Sequence, residues 1–291
     1  MLDGIVDKIT EFIKEMLQGW VLTNLETMFT DVNDKVGTIS TEVGKSPSTW
    51  NAGIFNMIKT LSDNVMVPIA GMIISFVLVY ELISMIIDKN NMHEFDTSVF
   101  IRFFMKACIA VMLLSKTFDI VLAVFDVGTH IVTEAGAAIT GSTSLNVGTT
   151  IQSMFNSQLS TMSIGDLVGL GMETMIVSMC MKIMSVLITV VLYGRMVEIY
   201  LYISVAPVPC ATVTNREWGT IGTNYFKGLC ALAFQGFFIM VCVGIYAVLV
   251  NSVAVASNLH SALWGVMAYT VILCFSLFKT GNLAKSIWNS H

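Results

Sequence analysis

The sequence predicts an all-α fold: a polytopic helical membrane protein with about five transmembrane helices plus an N-terminal amphipathic helix. Composition is the first reason. The chain is 55% hydrophobic and only 12% charged over 291 residues, with a mean hydropathy of +0.77, far from the balance of a soluble domain. Several apolar runs are also long enough to cross a hydrocarbon core of about 30 Å. Finally, the basic residues are sorted: none lies between Lys116 and Lys182, and none between Lys227 and Lys279. Membrane insertion sorts them in this way, because loops rich in Lys and Arg stay in the cytoplasm.

The formal net charge of −5 excludes a global basic surface for nucleic acid or anionic lipid, so any such contact is local. At the N-terminus Asp3, Asp7 and Glu11 stand where a secretory signal needs a basic region and an apolar run, and no cleavable signal is expected. The six cysteines all fall in apolar stretches without Cys-x-x-Cys spacing. They read as small buried hydrophobes.

Residues 1–20 place Leu2, Ile5, Ile9, Phe12, Met16 and Trp20 opposite Asp3, Asp7, Glu11, Lys14 and Glu15, the three- and four-residue steps of an amphipathic helix. Its polar face is mainly acidic, which favours burial against protein over adsorption to anionic lipid. Residues 21–64 are polar, with an apolar patch at Trp50, Ile54, Phe55, Ile58 and Leu61. The expectation is an extracytoplasmic or interfacial N-terminal region, 1–64, made of short helices, followed by a transmembrane domain over 65–291.

The expected spans are about 66–87, 103–125, 172–205, 229–250 and 262–279. A Gly/Ser/Thr-rich segment, 126–166, separates the second from the third. The stretch 167–211 is too long for one simple span, and parity decides its reading. With one crossing there, Lys89, Arg102, Lys106, Arg216, Lys227, Lys279 and Lys285 all fall on the cytoplasmic side, with the N-terminus outside and the C-terminus inside. Two crossings would reverse the bias. Pro207 and Pro209 then end the long third helix.

Charged groups inside a bilayer are costly unless they face protein or water. This makes Glu81, Lys116, Asp119, Glu173, Lys182, Arg195 and Glu198 the candidates for a polar conduit. Structural readings stand beside that one: Glu81 lies near a span end, Lys116 with Asp119 and Arg195 with Glu198 sit one turn apart and can pair. Lys182 stands out because it has no partner three or four residues away on its own helix. Met172, Met175, Met179 and Met184 follow one side of that helix and read as adaptable packing. The four histidines form no metal motif, and nucleotide, metalloprotease and nucleophile motifs are lacking. Neither an enzyme nor a cofactor is expected, with bound lipid as a possible small molecule. Gly165 with Gly169 and Gly128 with Gly136 have the small-residue spacing that lets helices approach closely.

Residues 203–228, ISVAPVPCATVTNREWGTIGTNYFKG, close an apolar helix with a proline turn and continue in a short basic, aromatic, Gly-bearing loop. This segment resembles the TrbL-like family, the polytopic inner-membrane subunit of type IV secretion and conjugation machines, in its small Gram-positive version. The resemblance extends to the layout of about five crossings and a large loop after the second. It implies that Pro207 or Pro209 terminates the central helix and that Arg216, Trp218, Phe226 and Lys227 form a cytoplasmic loop, although the prolines also read as a plain terminator.

It further implies a homo-oligomeric channel or platform in the cell membrane. Such a platform contacts other transfer subunits, partner ATPases among them, and passes a single-stranded DNA–relaxase substrate outward. A small-solute transporter or ion channel, and a non-conducting assembly scaffold, remain the competing readings.

Overall fold

A computed structural model describes residues 2–88, 97–142, 158–253 and 259–289. Among these residues there is no strand. The helices are α1 (Leu2–Val43), α2 (Pro47–Trp50), α3 (Ala52–Leu61), a π-helical turn (Ser62–Met66), α4 (Val67–Asp88), α5 (Thr97–Ser115) and α6 (Thr117–Ser142). They continue with α7 (Ile164–Val205), α8 (Pro207–Cys210), α9 (Gly219–Val253) and α10 (Leu259–Ile287). Five runs are long and apolar enough to cross a membrane: Ala52–Ile87, Thr117–Ile139, Ile164–Val205, Gly219–Val253 and Leu259–Ile287.

The chain divides into two compact units. The first comprises Met1–Val43, Val132–Leu192 and Phe238–Lys279; the second comprises Gly44–Ile131, Tyr193–Phe237 and Thr280–His291.

In the first unit the core is a set of three- and four-residue repeats from α1, α7, α9 and α10, joined by Val132 of α6. Val21, Leu25, Met28, Val36, Ile39 and Val43 of α1 meet Leu167, Leu170, Val177, Met181 and Ile188 of α7 in one apolar cluster with residues of α9 and α10. Helix α1 is therefore one uninterrupted 42-residue helix, where short helices were expected beyond residue 20. The core-facing periodicity continues through the Thr- and Asn-rich stretch and holds it helical. The apolar face of the first turns is another matter: Ile5, Val6, Ile9, Phe12 and Met16 are exposed, so burial against the rest of this unit begins only near Leu17. Gly171 is required where Trp20 lies on α7, because a Cβ there would sit 2.1 Å from the indole ring.

The second unit is built around Ile199, Tyr200, Ile203, Leu229, Leu232, Val121 and Phe125. Trp50 packs on Tyr193 and Tyr200 at ring separations of 5.3 and 5.9 Å, and the Tyr200 hydroxyl donates to the Pro47 carbonyl at 2.7 Å. These contacts fasten α2 to α7. The expected small-residue approach is present at Gly128, whose missing Cβ would lie 3.0 Å from Ala233. It is not found at Gly169, which has nothing within 4 Å.

The first membrane run reaches back to Ala52, well before residue 66, and passes through the π turn. Pro68 explains that turn. In a regular helix its ring would strike the carbonyl four residues back and leave it unbonded. The wider turn, closed by the Val67 N–H on the Ser62 carbonyl, relieves the clash just upstream.

Two further elements differ from expectation. The expected span 103–125 is broken at Lys116, between α5 and α6. Residues 126–142, expected within a loop, are helical, and the second apolar run is Thr117–Ile139. Polar residues there recur on one face and leave the helix pattern intact. The rest of the expected loop lies largely outside the described residues, as does Lys89. Helix α7 does end at Val205, and Pro207 opens α8 at its first position, where a missing N–H costs nothing.

Candidate functional site

The second unit gathers several of the candidate residues around the turn that links α8 to α9. Asn215, buried in that turn, is its organiser. Its Oδ1 accepts the backbone N–H groups of Glu217 at 2.8 Å and Trp218 at 2.9 Å, an Asx turn that hands the chain into α9. Its Nδ2 donates to Glu81 Oε2 on α4 at 3.2 Å.

Glu81 is buried, and its other carboxylate oxygen accepts from Lys106 Nζ on α5. A buried carboxylate is tolerated only when paired and hydrogen-bonded. Here Lys106 supplies the charge and Asn215 the second donor.

The turn is also held from its other side. Trp218 stacks on Phe76 and Tyr80 of α4, with ring centroids 5.4 and 5.8 Å away and planes within 15°. The Tyr80 hydroxyl donates to Glu217 Oε2 at 2.7 Å. Behind it, Gly222 lets α9 approach the α8 turn, since a Cβ would lie 2.7 Å from the Pro209 carbonyl oxygen and 2.3 Å from Val213. Burial pushes the Cys210 thiol pKa up, partly offset by a hydrogen bond with Thr117, so this thiol stays protonated and unreactive.

Between α4, α5 and this turn lies a cavity of about 870 Å³, lined by Tyr80, Glu81, Arg102, Lys106, Arg216 and Glu217 among others. Among the described residues neither Arg102 nor Arg216 has a hydrogen-bond or ion-pair partner.

The remaining candidates are dispersed. Lys116 and Asp119 pair at 3.2 Å but are both exposed, a contact worth little by itself. Glu173 does not stand alone: its Oε2 lies 2.6 Å from His260 Nδ1. Arg195 and Glu198 do not pair with each other, contrary to their spacing. Glu198 accepts from Lys285 at 2.7 Å, whereas Arg195 is buried, with one guanidinium nitrogen 3.5 Å from the Leu232 carbonyl and Nε unsatisfied. Lys182 is exposed in the middle of α7, with no partner among the described residues. Phe226 packs edge-on to Tyr225 at 5.8 Å in the core of this unit, and Lys227 sits on α9. Both therefore belong to the helix, not to the loop.

Residues outside the expected set complete the site: Phe76, Tyr80, Arg102, Asn215 and Glu217. Asn215 carried a signal, an Asn three residues ahead of Trp218 and followed by Gly219, which is turn chemistry. Helix α6 adds another group. Asp126 and His130 lie on its exposed face, Glu134 follows one turn on, and none has a partner among the described residues.

Comparison with known proteins finds no match among curated proteins and none among solved structures. The family model described as TrbL/VirB6 plasmid conjugal transfer like protein matches residues 32–207, a stretch that holds Glu81, α5, α6 and the whole of α7 up to Pro207. With more than half of its length matched and five apolar helices of membrane-spanning length, the chain belongs to the TrbL/VirB6 plasmid conjugal transfer like family, a family of type IV secretion membrane subunits.

Proposed function

We propose that this protein is a homo-oligomeric channel or platform in the cytoplasmic membrane, through which a conjugative type IV secretion machine moves a single-stranded DNA–relaxase substrate. The family match over residues 32–207 carries the reading. Partner ATPases supply the energy, for the chain itself has no nucleotide-binding motif. The sorting of basic residues supports an N-terminus outside and a C-terminus in the cytoplasm.

The outward faces of two helices support lateral assembly. Lys182 on α7 and Asp126, His130 and Glu134 on α6 are exposed within apolar runs, where a lipid-facing charge costs several kcal/mol. In an oligomer these groups turn toward a neighbouring copy or a watery axis, which removes that cost and lines a conduit. The Asn215 turn, stiffened by Trp218 and Glu81, is the surface offered to other transfer subunits.

Photo-crosslinking during mating tests this. A crosslinker in place of Asp126 or His130 is expected to trap transferred DNA in mating donor cells but not in donors lacking the relaxase. Capture of neighbouring copies without DNA in any position on α6 would favour a non-conducting scaffold.

A further inference from the structure

We propose that the cavity beside the Asn215 turn seats the phosphodiester headgroup of an anionic phospholipid, with Arg102 and Arg216 on the phosphate and the acyl chains along α4 and α5. This does not depend on the transfer reading.

Charge is the first argument. Among the described residues three cations, Arg102, Lys106 and Arg216, and two carboxylates, Glu81 and Glu217, line the space. One positive charge is left over, the complement of a single phosphodiester. Lys106 is already engaged by Glu81, and Glu217 takes the Tyr80 hydroxyl. The two guanidinium groups are the cations with no partner among the described residues. Their planar forks suit phosphate oxygens better than a lysine ammonium does.

Size and surroundings argue for a lipid in particular. About 870 Å³ is far more than a free phosphate fills and is ordinary for a ligand pocket. Met85, Ile101 and Met105 share the lining with the charged groups. The apolar surface continues outward through Ile83, Ile86 and Ile87 of α4 and Phe104 of α5, all exposed. Cations at a helix end beside exposed apolar surface describe the boundary between headgroups and acyl chains, where basic pockets between membrane helices hold lipid headgroups. A nucleic-acid phosphate would leave that apolar rim uncovered.

The full-length protein in neutral detergent decides the matter through its thermal unfolding midpoint. Dioleoyl-phosphatidylglycerol is expected to raise the midpoint saturably. Dioleoyl-phosphatidylcholine, inorganic phosphate and a short single-stranded oligonucleotide are expected not to. The double variant R102Q/R216Q should bind phosphatidylglycerol about tenfold or more weakly, and R102K/R216K should recover part of the difference.

Equal responses to the two lipids, or a Gln variant that responds like the parent, would overturn the proposal. An equal response to inorganic phosphate would reduce the site to a free-anion site, and displacement of the lipid by the oligonucleotide would reassign it to nucleic acid. If the Gln variant does not fold, the lipid selectivity of the unaltered protein still decides, because a headgroup site discriminates glycerol from choline phosphodiesters and apolar adsorption does not.

Discussion

Asn215 donates its side-chain amide to Glu81 at 3.2 Å, joining residues 134 positions apart in the chain. Through that bond the Glu81–Lys106 pair of α4 and α5 is tied to the turn that carries Arg216 and Trp218. The same side chain caps the turn from within, so one residue sets both the shape of the turn and its attachment.

Asn215→Ala removes a donor from a buried carboxylate and an acceptor from two backbone N–H groups. A loss of about 2–4 kcal/mol is expected, measured as an earlier unfolding midpoint in a denaturing-detergent titration. Asn215→Asp keeps the cap yet sets a carboxylate against Glu81. It should therefore also destabilise, and Glu81→Gln added to it should restore part of the loss. Additive effects of the two substitutions would mean that the residues do not interact.

Gly222→Ala places a methyl group where only 2.7 Å separates the Cβ position from the Pro209 carbonyl oxygen. Backbone atoms cannot yield as a flexible side chain does, so the turn must shift. The same change at Gly37, a helix position with nothing within 4 Å, should instead be neutral or stabilise by up to about 1 kcal/mol. Unfolding midpoints of the two variants, compared side by side, check the contrast; similar values would contradict it.

Much of this architecture was legible in the residues, because lipid imposes simple rules. Long apolar runs had to be helices, and Pro207 had to follow a helix end, since no proline there could continue α7. The helical state of 126–142 was less accessible. Asp126, His130 and Glu134 look like loop residues when counted, and only their four-residue spacing reveals one face of a helix. Partners across the fold were out of reach. Arg195 and Glu198 stand one turn apart, yet the carboxylate reaches Lys285, 87 residues on, and Asn215 is a turn residue in sequence but a bridge in space. Such pairings are set by how helices pack, which local spacing does not encode.

Trp218→Ala empties the stack on Phe76 and Tyr80 of α4 and changes no residue within a membrane run. Membrane insertion should persist while conjugal transfer falls by at least about tenfold, because a loosened turn no longer presents one surface to its partners. Trp218→Phe keeps an aromatic ring in the stack and should transfer nearly normally. The check is conjugation frequency alongside membrane-fraction abundance. An unchanged frequency for the alanine variant would remove the turn from the transfer mechanism.

Lys182→Leu separates two physical roles for a cation on α7 that has no partner among the described residues. A lysine at the centre of a membrane helix opposes insertion by about 3 kcal/mol, and leucine there favours it. If Lys182 merely faced lipid, the leucine variant would accumulate to a higher level and transfer DNA normally. In an oligomer where Lys182 meets a carboxylate or water, the substitution strands that partner. Membrane abundance then holds or rises while transfer and cross-linked oligomer both fall, and Lys182→Arg, which keeps the charge and reach, restores them. Transfer frequency and in-membrane cross-linking, measured on the same cells, distinguish the two, and normal transfer by the leucine variant would refute the assembly role of this face.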